Sequence, residues 1–286
     1  VLNVSADHLG LRGINTLEQL AEVKAVIPAV VKREGHAVLN ADDDLVYALR
    51  ERTGADVVFF STMPAGANQR FEEHIERGGI GARVEDGTFV IRRGRLRIPI
   101  AGVREVPLMM GGAARFQQGN ILAAIATAYV QGVRYATIRA GLLSFFPSPS
   151  MTPGRLNLLR VGKGRVLVDY AHNPAAVAGL MDMVANIPAR RRIGVIAVPG
   201  DRRDEDIREV GRLSAGLDHV IVKEDYDLRG RAPGEVSAIL VEGLRQGGLH
   251  GDQSEAVPTA AEAVNRALDM IGEGELVVVL ADDVPT

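Results

Sequence analysis

An acid, an aromatic ring, an imidazole and an amide stand together in Asp169-Tyr170-Ala171-His172-Asn173-Pro174, directly after the apolar run Arg165-Val166-Leu167-Val168. The run reads as a buried strand. Pro174 reads as the first residue of a helix, where its missing N–H has no partner to lose. Polar side chains gathered between a strand end and a helix N-terminus can hold an anionic, often phosphorylated ligand. For His172 alone, a plain strand-end turn is an equal explanation.

Four further groups have types and spacing suited to chemistry. Asn3 lies in the apolar start, Asp7 and His8 lie on the loop after it, and Lys24 sits mid-helix among Leu20, Ala21, Val23 and Ile27. A buried ammonium there is costly unless paired or neutralised; otherwise it snorkels to solvent. Asn120 ends the run Gly111-Gly112-Ala113-Ala114-Arg115-Phe116-Gln117-Gln118-Gly119-Asn120 ahead of an Ala-rich helix. Its amide can cap that helix, the simpler reading, or pair with a purine edge. Arg155, within Pro153-Gly154-Arg155-Leu156-Asn157, either stiffens a hinge or reaches phosphate with a two-pronged contact.

The fourth group comprises two charged loops. In Gly200-Asp201-Arg202-Arg203-Asp204-Glu205-Asp206-Ile207 the later acids suit a helix N-terminus, which leaves Asp201, Arg202 and Arg203 in the turn unexplained. The loop Lys223-Glu224-Asp225-Tyr226-Asp227-Leu228-Arg229-Gly230-Arg231 has the composition of a solvated segment. Yet it joins the Asp201 and Asp169 loops at the carboxyl ends of three strands, and convergence on one sheet edge is what a binding cleft looks like.

The elements that must position these residues form an α/β chain. The start, 1–4, reads as a strand end, and a helix opens at Asn15 or Thr16 with Pro28 near its end. A strand over 37–40, a helix over 45–52 and a strand over 55–60 follow. Alternation and an Asp86-Gly87 pair over 83–106 predict a small antiparallel unit of hairpins. Helices are expected over 120–131 and 137–143, and three prolines in 146–153 mark a linker. Strands at 165–169, 192–198, 219–222 and 276–281 then alternate with helices at 174–185, 204–214, 233–246 and 258–270, the rhythm of a mostly parallel sheet covered on both faces.

The 286 residues, 47% hydrophobic and 24% charged with net charge −3, suit a globular chain of two domains. No basic tract points to nucleic acid, and no apolar stretch nears the ~20 residues of a membrane span. With no cysteine there is no thiolate site, and a reducing cytoplasm is the expected setting. The chain starts without Met inside a strand-like run and stops abruptly, so a longer parent is expected.

Taken in order, Asn3-x-x-x-Asp7-His8, Lys24, Asn40-Ala41-Asp42-Asp43, Gly154-Arg155-x-Asn157, Asp169-Tyr170-Ala171-His172-Asn173-Pro174 and Gly200-Asp201-Arg202 resemble the Mur ligase superfamily of ATP-dependent ligases over nearly the whole chain. Within it, the two charged loops are similar to those of the C-terminal Mur-like half of the cyanophycin synthetase family. The resemblance implies the end of a Mur ligase central, ATP-binding domain over 1–147 and a Rossmann-like Mur ligase C-terminal domain over 148–286. It also implies a reaction. ATP phosphorylates the β-carboxylate of an aspartate polymer, and arginine attacks the acyl phosphate. ATP and Mg²⁺ would take part, in a full-length homo-oligomer. Carried over by motif, His8 and a carbamylated Lys24 would lie at the metal, Asn120 at adenine, Arg155 at phosphate, Asp169 at ribose, and His172 with Asn173 at the nucleotide. Asp201, Arg202, Glu224, Asp225 and Asp227 are the candidates around the arginine substrate. Other Mur-type ligases, for cell-wall peptide or folate, and a catalytically inert remnant remain alternatives. The family's phosphate loop is absent from these residues, Phe116-Gln117 replaces the usual pair ahead of Asn120, and Tyr226 stands where an acid is common. The chain alone is therefore expected to be inactive and to expose a sheet edge.

Overall fold

The computed structural model describes residues 1–6, 9–10, 13–225 and 227–281, in two compact units, Val1–Phe145 and Phe146–Thr286. Among the described residues no helix is long and apolar enough to cross a membrane.

The first unit holds a five-stranded sheet in the order β1 (His36–Asn40), β2 (Asp56–Ser61), β3 (Ile80–Glu85), β4 (Thr88–Arg93), β5 (Leu96–Gly102). The first three strands are parallel, and β3, β4 and β5 run antiparallel. The expected antiparallel hairpins are present, and they continue the parallel sheet through β3. Asp86 and Gly87 both have positive φ, 48° and 68°, the geometry of the two-residue turn that matches strand twist.

Strand alternation divides the core. Val58 and Phe60 of β2 pack with Ile121, Leu122 and Ile125 of α4 (Gln117–Val130) and with Ile138 of α5 (Tyr135–Ser144). Phe59 faces the other way, with Leu20 and Ala21 of α1 (Leu17–Ala29), Val46 of α2 (Asp44–Ala48), and Phe71 and Ile75 of α3 (Gln69–Glu76). Thr16 caps α1 in a reciprocal box with Gln19, and Pro28 sits in the last turn.

Several expectations needed correction. Residues 1–4 form no strand; they run beside β1, with the Val1 amine donating to Val38 O at 2.7 Å and the Val4 N–H to Asp43 Oδ2 at 2.7 Å. The helix expected over 45–52 tightens into a 3-10 turn from Leu49. Helix α3 went unpredicted because only Phe71 and Ile75 give it an apolar face.

The second unit is a six-stranded sheet in the order β10 (Ser254–Val257), β9 (His219–Lys223), β8 (Arg192–Ile196), β11 (Leu276–Leu280), β7 (Gly164–Asp169), β6 (Asn157–Val161). All pairs are parallel except β6 with β7. The edge strands β6 and β10 were not predicted, since neither carries a continuous apolar run. Helices α6 (Pro174–Asn186), α7 (Asp204–Ser214) and α8 (Glu235–Gln246) pack in succession, and α9 (Ala260–Met270) lies against β8 to β11. Because β7, β8 and β9 are parallel, the loops that follow them share one edge. β6 runs the other way, so the segment entering it, which includes Arg155, starts from that same edge.

Candidate nucleotide and amine site

In the second unit the Asp169 turn comes together as a built corner. Asp169 is buried; Oδ2 accepts the Leu156 N–H at 3.0 Å and Oδ1 the Ala171 N–H at 2.9 Å. It therefore ties the segment carrying Arg155 to the turn carrying His172. Asn157 completes the tie: its Oδ1 accepts from Gly154 N at 2.8 Å, and its Nδ2 donates to Thr152 O at 2.9 Å and Arg155 O at 3.1 Å. Leu156, buried between these anchors, is held at φ +51°, a strained value that persists only where the surroundings over-determine it.

Arg155 is exposed, and its guanidinium carbon stands 4.5 Å above the Tyr170 ring. His172 packs edge-on to the same ring at 4.9 Å. His172 Nδ1 lies 2.9 Å from Tyr170 O. A carbonyl only accepts, so Nδ1 carries the proton. Asn173 caps α6, with Oδ1 accepting from Ala176 N at 2.9 Å, and Pro174 takes the first helical position. A cation, an imidazole and a capped helix N-terminus thus meet where a phosphate chain would find positive potential.

Burial pushes the Asp169 carboxyl above the usual range, and the two N–H donors and the charges of Arg155 and His172 only partly offset this. A carboxyl raised on folding adds stability below its unfolded value, and that stability fades as pH rises through the folded one. Wild-type stability should therefore fall, relative to Asp169→Asn, as pH climbs from about 4 through the raised value, and then level off. Urea midpoints of both proteins from about pH 3 to about pH 7 check this; parallel curves would refute it.

The two charged loops interlock at the ends of β8 and β9. Asp201 Oδ2 receives Arg229 Nη1 at 2.8 Å, and Oδ1 lies 3.7 Å from Arg202 Nη1 with no hydrogen bond among the described residues. Burial pushes the Asp201 carboxyl up, but Arg229 and Arg202 outweigh it and hold the group below the usual carboxylate range. Glu224 Oε1 accepts from Gly234 N. Asp227 Oδ1 accepts the Arg229 N–H at 2.9 Å, and Asp225 Oδ1 lies 3.4 Å from Asp227 N. A Cβ on Gly200 would meet Leu228 O at 2.3 Å, so the loops touch backbone to backbone.

The first-unit candidates are less concentrated. Asp7 and His8 lie outside the described residues. Lys24 is half-buried, with Nζ donating to Asn3 O at 2.9 Å. Leu20 and Ala21, one turn back on the same face, are buried, while Val23 and Ile27 are exposed, so the expected apolar setting is present on one side only. Asn120 does not cap α4: the helix begins at Gln117 without a side-chain cap, and the exposed Asn120 amide donates to Gln117 Oε1 at 2.8 Å. Sequence reasoning gave Asp42 no role of its own. Its Oδ1 accepts Ser61 Oγ at 2.5 Å and Asn68 Nδ2 at 2.7 Å, and its Oδ2 accepts Thr62 N at 2.6 Å and Thr62 Oγ1 at 2.9 Å. The signal was available in the adjacent Asp42 and Asp43: one knots the strand ends, the other caps α2. Among the described residues no group of three His, Cys, Asp or Glu side chains gathers to hold a metal.

Residues 1–128 match the Mur ligase middle domain and residues 154–282 the Mur ligase, glutamate ligase domain. The chain belongs to the Mur ligase family. Similar proteins include the cyanophycin synthetases of Trichormus variabilis, 44% identical over 99% of this chain and 31% of that protein, and of Synechocystis, 44% over 99% and 32%. The UDP-N-acetylmuramoyl-L-alanyl-D-glutamate–2,6-diaminopimelate ligase of Chlorobaculum tepidum is 27% identical over 97% of this chain and 52% of its own length. The chain thus spans about a third of the cyanophycin synthetases it matches. Among solved structures, E. coli FolC in complex with ADP shares the fold with a TM-score of 0.67, 19% identity, and coverage of 98% of this chain and 57% of its own.

Proposed function

We propose that this chain is part of an ATP-dependent amide-forming ligase that adds arginine to the β-carboxylate of an aspartate polymer. The observation that carries the reading is the common edge of β7, β8 and β9. Along it lie Arg155, His172 and Asn173, which in this reading meet the nucleotide, and a pair of charged loops whose acids would face a cationic amine. The likeness to cyanophycin synthetases supports the choice of amine.

In this reading the γ-phosphoryl group of ATP passes to a carboxylate oxygen, and ADP leaves. The arginine α-amine attacks the acyl carbon, loses a proton, and phosphate departs as the amide forms. Arg155 neutralises phosphoryl charge, and its stack on Tyr170 fixes its direction. Asp169 holds the Arg155 segment and the His172 turn in one frame; a ribose contact would use lone pairs beyond those bonded to Leu156 and Ala171. Asp201, Glu224, Asp225 and Asp227 supply the negative field for the guanidinium. Lys24 and His8 are proposed at the metal and Asn120 at adenine on the family motif alone, and no step is routed through them.

The test is phosphate release by the full-length protein with ATP, an aspartate polymer and one amino acid at a time. Turnover with arginine and not with diaminopimelate or glutamate is expected. Turnover with diaminopimelate instead would favour a cell-wall ligase. Alanine at Asp201, Glu224, Asp225 or Asp227 should raise the arginine KM and leave the ATP KM alone; an unchanged arginine KM at all four would remove them from the amine site.

A further inference from the structure

We propose that Arg231 is the positioning residue of the amine site, holding Asp201 in register by clamping the loop after β8 to the loop after β9; this rests on the reading of Asp201 given above. Only 16% of the side chain is exposed, and its guanidinium reaches four groups. Nε donates to Gly200 O at 2.7 Å, and Nη2 to Arg202 O at 2.7 Å and to Asp204 Oδ1 at 2.7 Å. Nη1 donates to Glu235 Oε1 at 2.7 Å. The two carbonyls belong to the residues on either side of Asp201, so the guanidinium brackets that carboxylate through its own backbone. The two acids sit in the first turns of α7 and α8, so the same group fixes the loops to the helices that follow them.

Three features make this a positioning role. Gly200 and Arg202 are buried, and without Arg231 their carbonyls would lose these donors. Gly200 permits the backbone contact with Leu228, but contact alone leaves the loops free to slide. The Arg229–Asp201 pair is more exposed, with side chains at 40% and 24%, and such pairs hold geometry weakly. Lysine could not replace Arg231: an ammonium is a point charge and lacks the planar fork that spans two carbonyls and two carboxylates.

The experiment compares full-length wild type with Arg231→Lys and Arg231→Met, measuring KM for arginine, KM for ATP, kcat at saturation and the unfolding midpoint. A positioning role predicts an arginine KM raised about tenfold or more in both variants, an ATP KM within about twofold, and weaker selection of arginine over lysine. A merely structural role predicts a smaller active fraction, with lower kcat and both KM values unchanged; that result overturns the proposal. If Arg231→Met fails to fold, Arg231→Lys and Asp204→Asn, which removes one anchor, carry the test. An unchanged amine KM in both overturns it. If wild type turns over with another amine, the arginine reading fails separately, and the clamp is judged on that amine's KM.

Discussion

Arg155→Ala is expected to lower kcat/KM for ATP about 100- to 1000-fold in the full-length protein, the loss typical when a preorganised donor to a developing charge is removed. Stability should barely move. Arg155 is exposed, its guanidinium stacks on the Tyr170 ring, and the segment beneath it is held without it, by Asn157 and by Asp169 through Leu156. Arg155→Lys should recover only part of the rate, because an ammonium cannot make the two-pronged contact or stack flat on the ring. Steady-state kinetics with ATP varied, beside a thermal melt, give the answer. A loss under about threefold with an intact fold would mean that Arg155 stiffens the hinge and does not touch phosphate.

The second unit was legible from sequence because its central strands are buried on both faces. Runs such as Val277-Val278-Val279-Leu280 announce themselves without alternation. Edge strands lack that signature: β6 exposes Leu158 and Leu159 by 37% each, and β10 has no apolar run. The strand-to-helix corner after β7 was legible too, since Asp169, His172 and Asn173 break an apolar pattern abruptly.

Two kinds of feature stayed hidden. One is the difference between a solvated charge and a committed one. Arg231 sits in a run of mixed charges, and only the folded loops show that its donors are spent on Gly200, Arg202, Asp204 and Glu235. The other is a side chain's setting on its helix. Lys24 stands beside Val23 and Ile27 in sequence, yet those residues face outward, and the ammonium turns back to Asn3. For Asn120 the start of α4 three residues earlier moved the amide off the cap position. Periodicity places an element to within a turn, and a capping role needs it to the residue.

Gly243→Ala should destabilise the protein by about 3 kcal/mol, and it should act on the amine site as well. A Cβ there would lie 2.0 Å from Arg208 O on α7; a Cβ on Gly211 would lie 2.3 Å from Leu240 O on α8, and one on Gly247 2.4 Å from the Ala215 Cβ. The nearest atoms at Gly243 and Gly211 are backbone, so no rotamer change relieves the clash, and the helices must part. Those helices follow the two charged loops, and Asp204 and Glu235 in their first turns are the acids that Arg231 grips. A variant that still folds should therefore show a raised arginine KM with the ATP KM little changed. Gly216→Ala is the control: it has open space around the built Cβ and no positive φ, so it should match wild type within about 0.5 kcal/mol. Urea titration of both variants decides the first point and amine-varied kinetics the second. Gly243→Ala as stable as Gly216→Ala would mean that α7 and α8 tolerate a wider crossing, and that their spacing does not hold the loops in place.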